Sequence, residues 1–152
     1  MGIVFYIGFM ASGKSTLGAE DAAKAGMRFV DLDQVIGEST GMPPWQFISE
    51  KGEKVFRMIE RDLLHRIVGE WSEEGKPALI VSCGGGTPCF FDNLEFMKTS
   101  GYVVFIDTPF EIILERISRY PERWPLVRDR DPRTLYLSRR KWYEKAHERR
   151  IP

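Results

Sequence analysis

One motif constrains the fold of this chain more than any other feature: residues 8–15 read G-x-x-x-x-G-K-S. An apolar segment at residues 3–8 leads into the motif, and a segment typical of a helix, residues 14–25, follows it. Glycines at these positions let backbone N–H groups point at phosphate oxygens, and the helix N-terminus adds its positive end. The motif predicts a phosphate-binding loop (P-loop) between a buried strand and a helix. A glycine turn beside an incidental lysine is the alternative, which the flanking elements disfavour.

The P-loop also predicts roles for single residues. Lys14 is expected to reach the β- and γ-phosphates of a nucleotide and to act in catalysis, and Ser15 is expected to bind Mg²⁺. The other loop residues expected to bind the nucleotide are Gly8, Ala11, Ser12, Gly13 and Thr16.

Composition narrows the class of protein. The 152 residues hold 22 Lys and Arg against 22 Asp and Glu, so the formal net charge is zero. This length predicts a single domain over residues 1–152, and a hydrophobic fraction of 43% excludes a disordered chain. Neutral charge disfavours a nucleic-acid binder, and no apolar run approaches the ~20 residues that span a bilayer. Two cysteines, Cys83 and Cys89, favour reduced thiols. We expect a cytoplasmic monomer.

Apolar strands and helices alternate along the chain. Further strands are predicted at residues 28–31, 78–82 and 102–106, and further helices at residues 45–50, 53–71, 92–100, 108–118 and 134–147. This alternation predicts an α/β fold, a three-layer doubly wound parallel sheet that binds ligands at the carboxyl ends of its strands. Residues 119–132 hold three of the nine prolines with alternating charges, which indicates a mobile lid.

Two acidic residues follow the second predicted strand. Strand alternation would place Asp31 and Asp33 on one side, facing the phosphate crevice. One carboxylate could then hold a Mg²⁺-bound water, and the other could accept a hydroxyl proton. A helix N-cap followed by a solvated acid fits the spacing equally well.

Two further features are ambiguous when taken alone. The glycine triplet at residues 84–86 suits a close approach of a ligand to the backbone, but a loose turn would also use it. Arg57 and Glu60 stand three residues apart on a predicted helix, where a surface ion pair is the ordinary interpretation.

The order of all these features resembles one family. The P-loop, Asp31-x-Asp33, Gly52-Glu53…Phe56-Arg57…Glu60, Ser82-Cys83-Gly84-Gly85-Gly86 and Arg139…Tyr143…Ala146 occur with the spacing of shikimate kinases. The resemblance runs from residue 3 to about residue 146 and implies ATP-dependent, Mg²⁺-dependent phosphorylation of shikimate at its 3-hydroxyl. ATP and shikimate are therefore the expected partners.

The resemblance also implies roles at the matching positions. Asp33 would bind the ring hydroxyls and act as the base, and Asp31 would hold the hydration shell of Mg²⁺. Arg57 and Arg139 would clamp the shikimate carboxylate, with Glu60 orienting Arg57. The remaining implied contacts are the backbone of Gly84, Gly85 and Gly86 with the substrate hydroxyls, and Arg116 stacked on adenine.

The chain departs from the family pattern in two places. The family carries Arg-Pro-Leu in its lid, whereas this chain reads Arg123-Trp124-Pro125-Leu126. We expect Arg123 to turn inward as the catalytic lid cation, with Arg119 as the alternative. The chain also stops at Pro152, where the family's last strand and adenine-side loop should begin. A kinase of another small hydroxy acid such as gluconate, or a catalytically weak nucleotide-binding relative, are the alternative functions.

Overall fold

A computed structural model describes residues 2–127 and 130–152 of the protein. The strands of these residues are β1 (Ile3–Ile7), β2 (Arg28–Asp31), β3 (Leu79–Ser82), β4 (Tyr102–Ile106) and β5 (Glu148–Arg150). The α-helices are α1 (Lys14–Ala25), α2 (Leu32–Thr40), α3 (Pro44–Lys51), α4 (Glu53–Glu73), α5 (Asn93–Ser100), α6 (Phe110–Arg119) and α7 (Pro132–Tyr143). Short 3-10 turns lie at Thr87–Cys89, Pro121–Arg123 and Pro125–Val127.

The strands form one parallel sheet in the order β2-β3-β1-β4-β5. Strands β2 and β3 lie on one side of β1, and β4 and β5 lie on the other side. The strand order therefore reverses at β1, which is the topological switch point of the sheet. Ligands of doubly wound sheets bind outside the carboxyl ends of the strands at such a point. The P-loop follows β1 directly, which confirms the predicted fold class.

Alternate residues of β1 pack into two separate hydrophobic clusters. Ile3, Phe5 and Ile7 join the larger cluster on one face of the sheet, whereas Tyr6 joins a smaller cluster on the other face, which includes Ala22 of α1. A parallel sheet must be covered on both faces, and an apolar strand without polar alternation is its sequence signature. The helices on the two faces therefore make the three layers.

The C-terminal prediction is wrong in part. The last helix was expected to run to residue 147, but α7 ends at Tyr143 and β5 follows within the chain. His147 is consequently not on a helix surface: its Nδ1 accepts a hydrogen bond from the Val103 amide at 2.9 Å. The sequence Glu148-Arg149-Arg150 contains no apolar residue, so its pattern does not indicate a strand.

Ion pairs explain why this charged segment forms an edge strand. Arg149 donates to Asp107 at 2.7 Å and Arg150 donates to Asp21 at 2.5 Å, and Asp107 also accepts from Arg140 of α7. These arginines hold the pKa of both aspartates below its usual range; at Asp21 this outweighs the opposing effect of burial. Charged side chains suit an exposed sheet edge.

Within the described residues, no helix has the combined length and apolarity that crossing a bilayer requires.

Candidate active site

The P-loop wraps around the Lys14 side chain. Gly13 caps the N-terminus of α1 with a φ of 85°, in the left-handed region that favours glycine. Lys14 is buried, and its Nζ donates to the Phe9 carbonyl at 3.2 Å. Burial lowers the pKa of Lys14, while the negative charges of Asp33 and Asp31 oppose that shift. The loop thus places an ammonium group among carboxylates at the end of β1.

One cavity lies against the outer side of the P-loop and is called here the nucleotide cavity. Of the residues predicted to bind nucleotide, it is lined by Ala11, Ser12, Gly13, Thr16 and Arg116. Gly8, Lys14 and Ser15 do not line it. Lys14 is buried beneath the loop, and the Ser15 hydroxyl lies 2.9 Å from that of Ser82. Arg116 Nη1 donates to the Ala11 carbonyl at 2.9 Å, so α6 is tied to the loop.

A helix was predicted over residues 108–118, but α6 begins at Phe110 and Thr108 does not cap it. Pro109 occupies the N-cap position, and the Thr108 hydroxyl instead donates to the Ser12 carbonyl at 2.6 Å. This buried bond connects the end of β4 to the P-loop.

Strand alternation does not set the positions of Asp31 and Asp33, contrary to the prediction. Asp31 ends β2 and caps α2, accepting a hydrogen bond from the Asp33 amide at 2.9 Å, and Asp33 lies in the first turn of that helix. The alternative N-cap interpretation is therefore confirmed for Asp31, but Asp33 is not a solvated acid. Burial raises the pKa of Asp33 to about 6, although Lys14 acts against that shift.

A second cavity, of about 190 Å³, lies on the other side of the P-loop and is called here the acceptor cavity. Asp33, Arg57, Arg139 and the glycine triplet line it together, as the resemblance implied. Its apolar walls include Met10, Trp45, Ile48, Phe56 and Leu126. The acceptor cavity thus combines charged groups with apolar walls suited to a carbon ring.

Arg57 is a buried residue and not a surface partner of Glu60. Its guanidinium donates to Glu60 and to Glu53, each at 3.0 Å, and lies 4.3 Å from the ring centroid of Phe90. Glu60 is fully buried, and its other oxygen accepts from the Thr87 hydroxyl at 2.8 Å. The two glutamates raise the pKa of Arg57 despite the opposing effect of burial.

Sequence reasoning did not find three of these partners. Thr87 and Phe90 come from the segment after β3, and no local spacing connects them to α4. Glu53 stands four residues before Arg57, and that i, i+4 spacing was a usable signal.

Two glycines of the triplet, Gly84 and Gly86, pack closely against charged side chains. A Cβ at Gly84 would lie 2.9 Å from Glu60 Oε2 and 3.1 Å from Asp33 Oδ1. A Cβ at Gly86 would lie 2.6 Å from Arg57 Cζ. The buried Tyr143 hydroxyl of α7 donates to the Gly85 carbonyl, and this bond holds the triplet in place.

Arg139 differs from Arg57 in its charge environment. It is also buried, and its guanidinium lies 5.9 Å from the Phe9 ring centroid. Among the described residues, no ion pair includes Arg139, whereas Arg57 has two. Arg139 therefore brings the less compensated positive charge to the acceptor cavity.

The lid residues divide between the two cavities. Arg123 lines the acceptor cavity with its guanidinium 4.8 Å from the Tyr120 ring centroid, whereas Arg119 lines the nucleotide cavity and pairs with Glu115. Residues 128–129 of the predicted lid lie outside the described residues. Trp124 lines both cavities.

The raised pKa of Asp33 predicts a pH-dependent stability. The folded protein holds the Asp33 proton up to about pH 6, and the unfolded chain releases it near 3.8, so this group stabilises the fold less as pH rises between those values. We expect Asp33→Asn to gain free energy of unfolding relative to wild type, by about 1–3 kcal/mol, between pH 4 and pH 7. Urea unfolding at both pH values measures this difference. A pH-independent difference would contradict the raised pKa of Asp33.

The protein-family model of shikimate kinase matches residues 10–152 of this chain. The shikimate kinase of Parabacteroides distasonis is 39% identical over 132 residues, which cover 87% of this chain and 73% of that protein. The shikimate kinase of Persephonella marina is 38% identical over 144 residues, covering 94% of this chain and 84% of that protein.

Solved structures agree with this relationship. Shikimate kinase from Acinetobacter baumannii in complex with shikimate superposes with a TM-score of 0.84 at 30% identity, covering 99% of this chain and 83% of that one. Shikimate kinase from Bacteroides thetaiotaomicron gives a TM-score of 0.80 at 30% identity, covering 97% and 85%. With its P-loop, its paired cavities and these relatives, the chain belongs to the shikimate kinase family.

Proposed function

We propose that this chain transfers the γ-phosphoryl group of ATP to the 3-hydroxyl of shikimate, giving shikimate 3-phosphate and ADP. The observation that carries the proposal is the acceptor cavity, where two buried arginines and Asp33 surround one space beside the P-loop. A small hydroxylated ring acid fits this chemistry, because guanidinium groups bind carboxylates and Asp33 can accept from a hydroxyl. Both cavities belong to one chain, so a monomer suffices for the reaction.

Arg139 and Arg57 would share the carboxylate of the acceptor unequally. Arg57 is neutralised by two glutamates, whereas Arg139 has no ion pair among the described residues, so Arg139 would supply most of the attraction. Arg57 would add a direct hydrogen bond from a guanidinium that Glu60 holds in place. Trp45 and Phe56 would cover the ring, and the backbone of the glycine triplet would meet the ring hydroxyls.

Asp33 would act as the base toward the attacking hydroxyl. A general base works best when its pKa lies near the operating pH, and burial brings that of Asp33 to about 6. The positive charge of Lys14 lowers the pKa of Asp33. The same ammonium group would therefore act on both the base and the phosphates.

The P-loop side would hold the phosphates of ATP. Its inward amides and the α1 N-terminus bind phosphate oxygens, and Lys14 would neutralise the group in transfer. The Ser15 hydroxyl and the Asp31 carboxylate offer the hard oxygen ligands that Mg²⁺ prefers, and bound Mg²⁺ would offset phosphate charge. Arg116, which lines the nucleotide cavity, would stack on adenine, and Arg123 would supply a lid cation from the acceptor side.

A coupled ADP-release assay tests the proposed function. ADP release should require shikimate, gluconate should give only the background rate, and mass spectrometry should identify shikimate phosphate as the product. Comparable rates with gluconate would overturn the choice of substrate. Background rates with both acceptors would instead identify a nucleotide-binding relative that lacks the kinase reaction.

Arg139→Ala is expected to weaken shikimate binding by about 1.5–3 kcal/mol, the range of a charge-assisted hydrogen bond. Isothermal titration calorimetry measures this loss. The shikimate affinity of Arg139→Lys should lie between those of wild type and Arg139→Ala, because lysine keeps the charge but lacks the planar guanidinium. Lys141→Ala is the matched control, since Lys141 lies exposed on the same helix. Wild-type affinity in Arg139→Ala would remove this residue from the binding site.

A further inference from the structure

Trp124 occupies a position that no other described residue shares. It lines both the acceptor cavity and the nucleotide cavity, while every other lining residue belongs to one of them. A phosphoryl group that passes from ATP to an acceptor hydroxyl must cross from one cavity to the other. Trp124 therefore lies beside the path of the transferred group.

The indole N–H of Trp124 is buried and has no hydrogen-bond partner among residues 2–127 and 130–152. An indole nitrogen is a donor only, so the group that satisfies it must be an acceptor. A buried donor left unpaired destabilises the fold, because it has lost its hydrogen bond to water. This donor is therefore available to an acceptor oxygen of a ligand, and the side chain that carries it lines both cavities.

The backbone of Trp124 is held by local hydrogen bonds. Its amide donates to the Pro121 carbonyl at 3.2 Å, and its carbonyl accepts from the Val127 amide at 3.1 Å, so it joins two 3-10 turns. Both turns contact α3. Rotation of the indole toward the cavities leaves these backbone bonds intact.

The chemistry of phosphoryl transfer selects the acceptor. Negative charge spreads over the three equatorial oxygens of the transferred group, and donors aimed at that charge accelerate the reaction. Lys14 from the P-loop and Arg123 from the acceptor cavity are the cations proposed for this charge, and neither lines both cavities. Trp124 does, so its indole N–H is a further donor on a side chain that the two cavities share.

We propose that Trp124 is a catalytic residue whose indole N–H donates a hydrogen bond to an oxygen of the phosphoryl group during transfer. This inference rests on the proposed function for the identity of the molecule that receives the phosphoryl group. The hydrogen bond itself is made to a phosphate oxygen. The Trp124 side chain also lines both cavities, so the hydrogen-bond donor and the cavity wall are distinct contributions of one side chain.

Steady-state kinetics of three variants separate these contributions. Trp124→Phe keeps an aromatic wall and removes the donor, so kcat should fall 10- to 100-fold, whereas the KM for shikimate should change less than threefold. Trp124→Arg restores a donor at this position and should recover kcat to within tenfold of wild type. Trp142→Phe is the matched control, because Trp142 lies on α7 and lines neither cavity. A wild-type kcat in Trp124→Phe would overturn the proposal.

Indole resonances give a readout that is independent of turnover. The chain has four tryptophans, so a ¹⁵N-labelled sample gives four indole signals, and Trp124→Phe assigns one of them. Adding β,γ-imido-ATP, alone or with shikimate, should move the Trp124 signal downfield more than the other three. A static Trp124 signal under both conditions overturns the inference even if shikimate is turned over normally. A moving signal in a protein that does not phosphorylate shikimate would uphold the phosphate contact and reject the proposed function.

Discussion

Lys14→Ala is expected to lower turnover by about a thousandfold or more, the loss typical of removing a charge that stabilises the transferred phosphoryl group. Lys14 is buried within the P-loop, and its ammonium group lies beneath the turn that would hold the phosphates. Shikimate affinity should change little, because Lys14 does not line the acceptor cavity. The ADP-release assay measures the first effect and calorimetry the second.

Two further variants keep this result interpretable. Lys14→Met retains the buried aliphatic part of the side chain. If its turnover falls as far as that of Lys14→Ala while its free energy of unfolding stays at the wild-type value, the loss is due to the missing charge. Lys24→Ala removes an exposed lysine from the same helix and should leave turnover unchanged. Binding is best measured at pH 8, because Lys14 lowers the pKa of Asp33 and its removal would leave more of that carboxyl protonated. Equal losses of turnover and shikimate affinity would contradict the assignment of Lys14 to the nucleotide side.

The parts of the fold predicted from the sequence are those encoded locally. The P-loop motif together with the apolar residues of β1 predicted a strand, a turn and a helix, and the structure contains all three. The strand β5 could not be predicted in this way. Its charged residues are stabilised by Asp21 and Asp107, which lie far away along the chain. Helix α2 was missed because it buries only Leu32 and Ile36, too few apolar residues for a clear helical period.

The same division holds for the candidate site. Spacing within α4 identified Arg57 and Glu60 as a pair, but it could not show that the pair is buried. Burial comes from Thr87 and Phe90, which reach α4 only because the sheet brings the end of β3 to that helix. The lone sequence signal at Trp124 was its departure from the family pattern, and its place between two cavities is a property of the folded chain alone.

Asp33→Asn is expected to lower kcat by about 10²–10⁴-fold, the range for a general base, while ATP affinity stays near wild type. The amide keeps the size of the side chain but cannot accept the proton of the acceptor hydroxyl. Asp33→Glu retains a carboxylate at a shifted position and should recover part of the loss. Asp62→Asn, an exposed carboxylate on α4, is the control and should show wild-type kinetics.

The pH profile connects this loss to Asp33. The ionised form is the active one, so kcat/KM of the wild-type protein should rise with pH up to a midpoint near the pKa of about 6 and level off above it. Below the midpoint, each pH unit should cost about tenfold, because the fraction of ionised Asp33 falls tenfold. The residual activity of Asp33→Asn should lack this acidic limb. If the limb persists in Asp33→Asn, another group controls the reaction in this pH range, and Asp33 would then serve only to bind the acceptor hydroxyls.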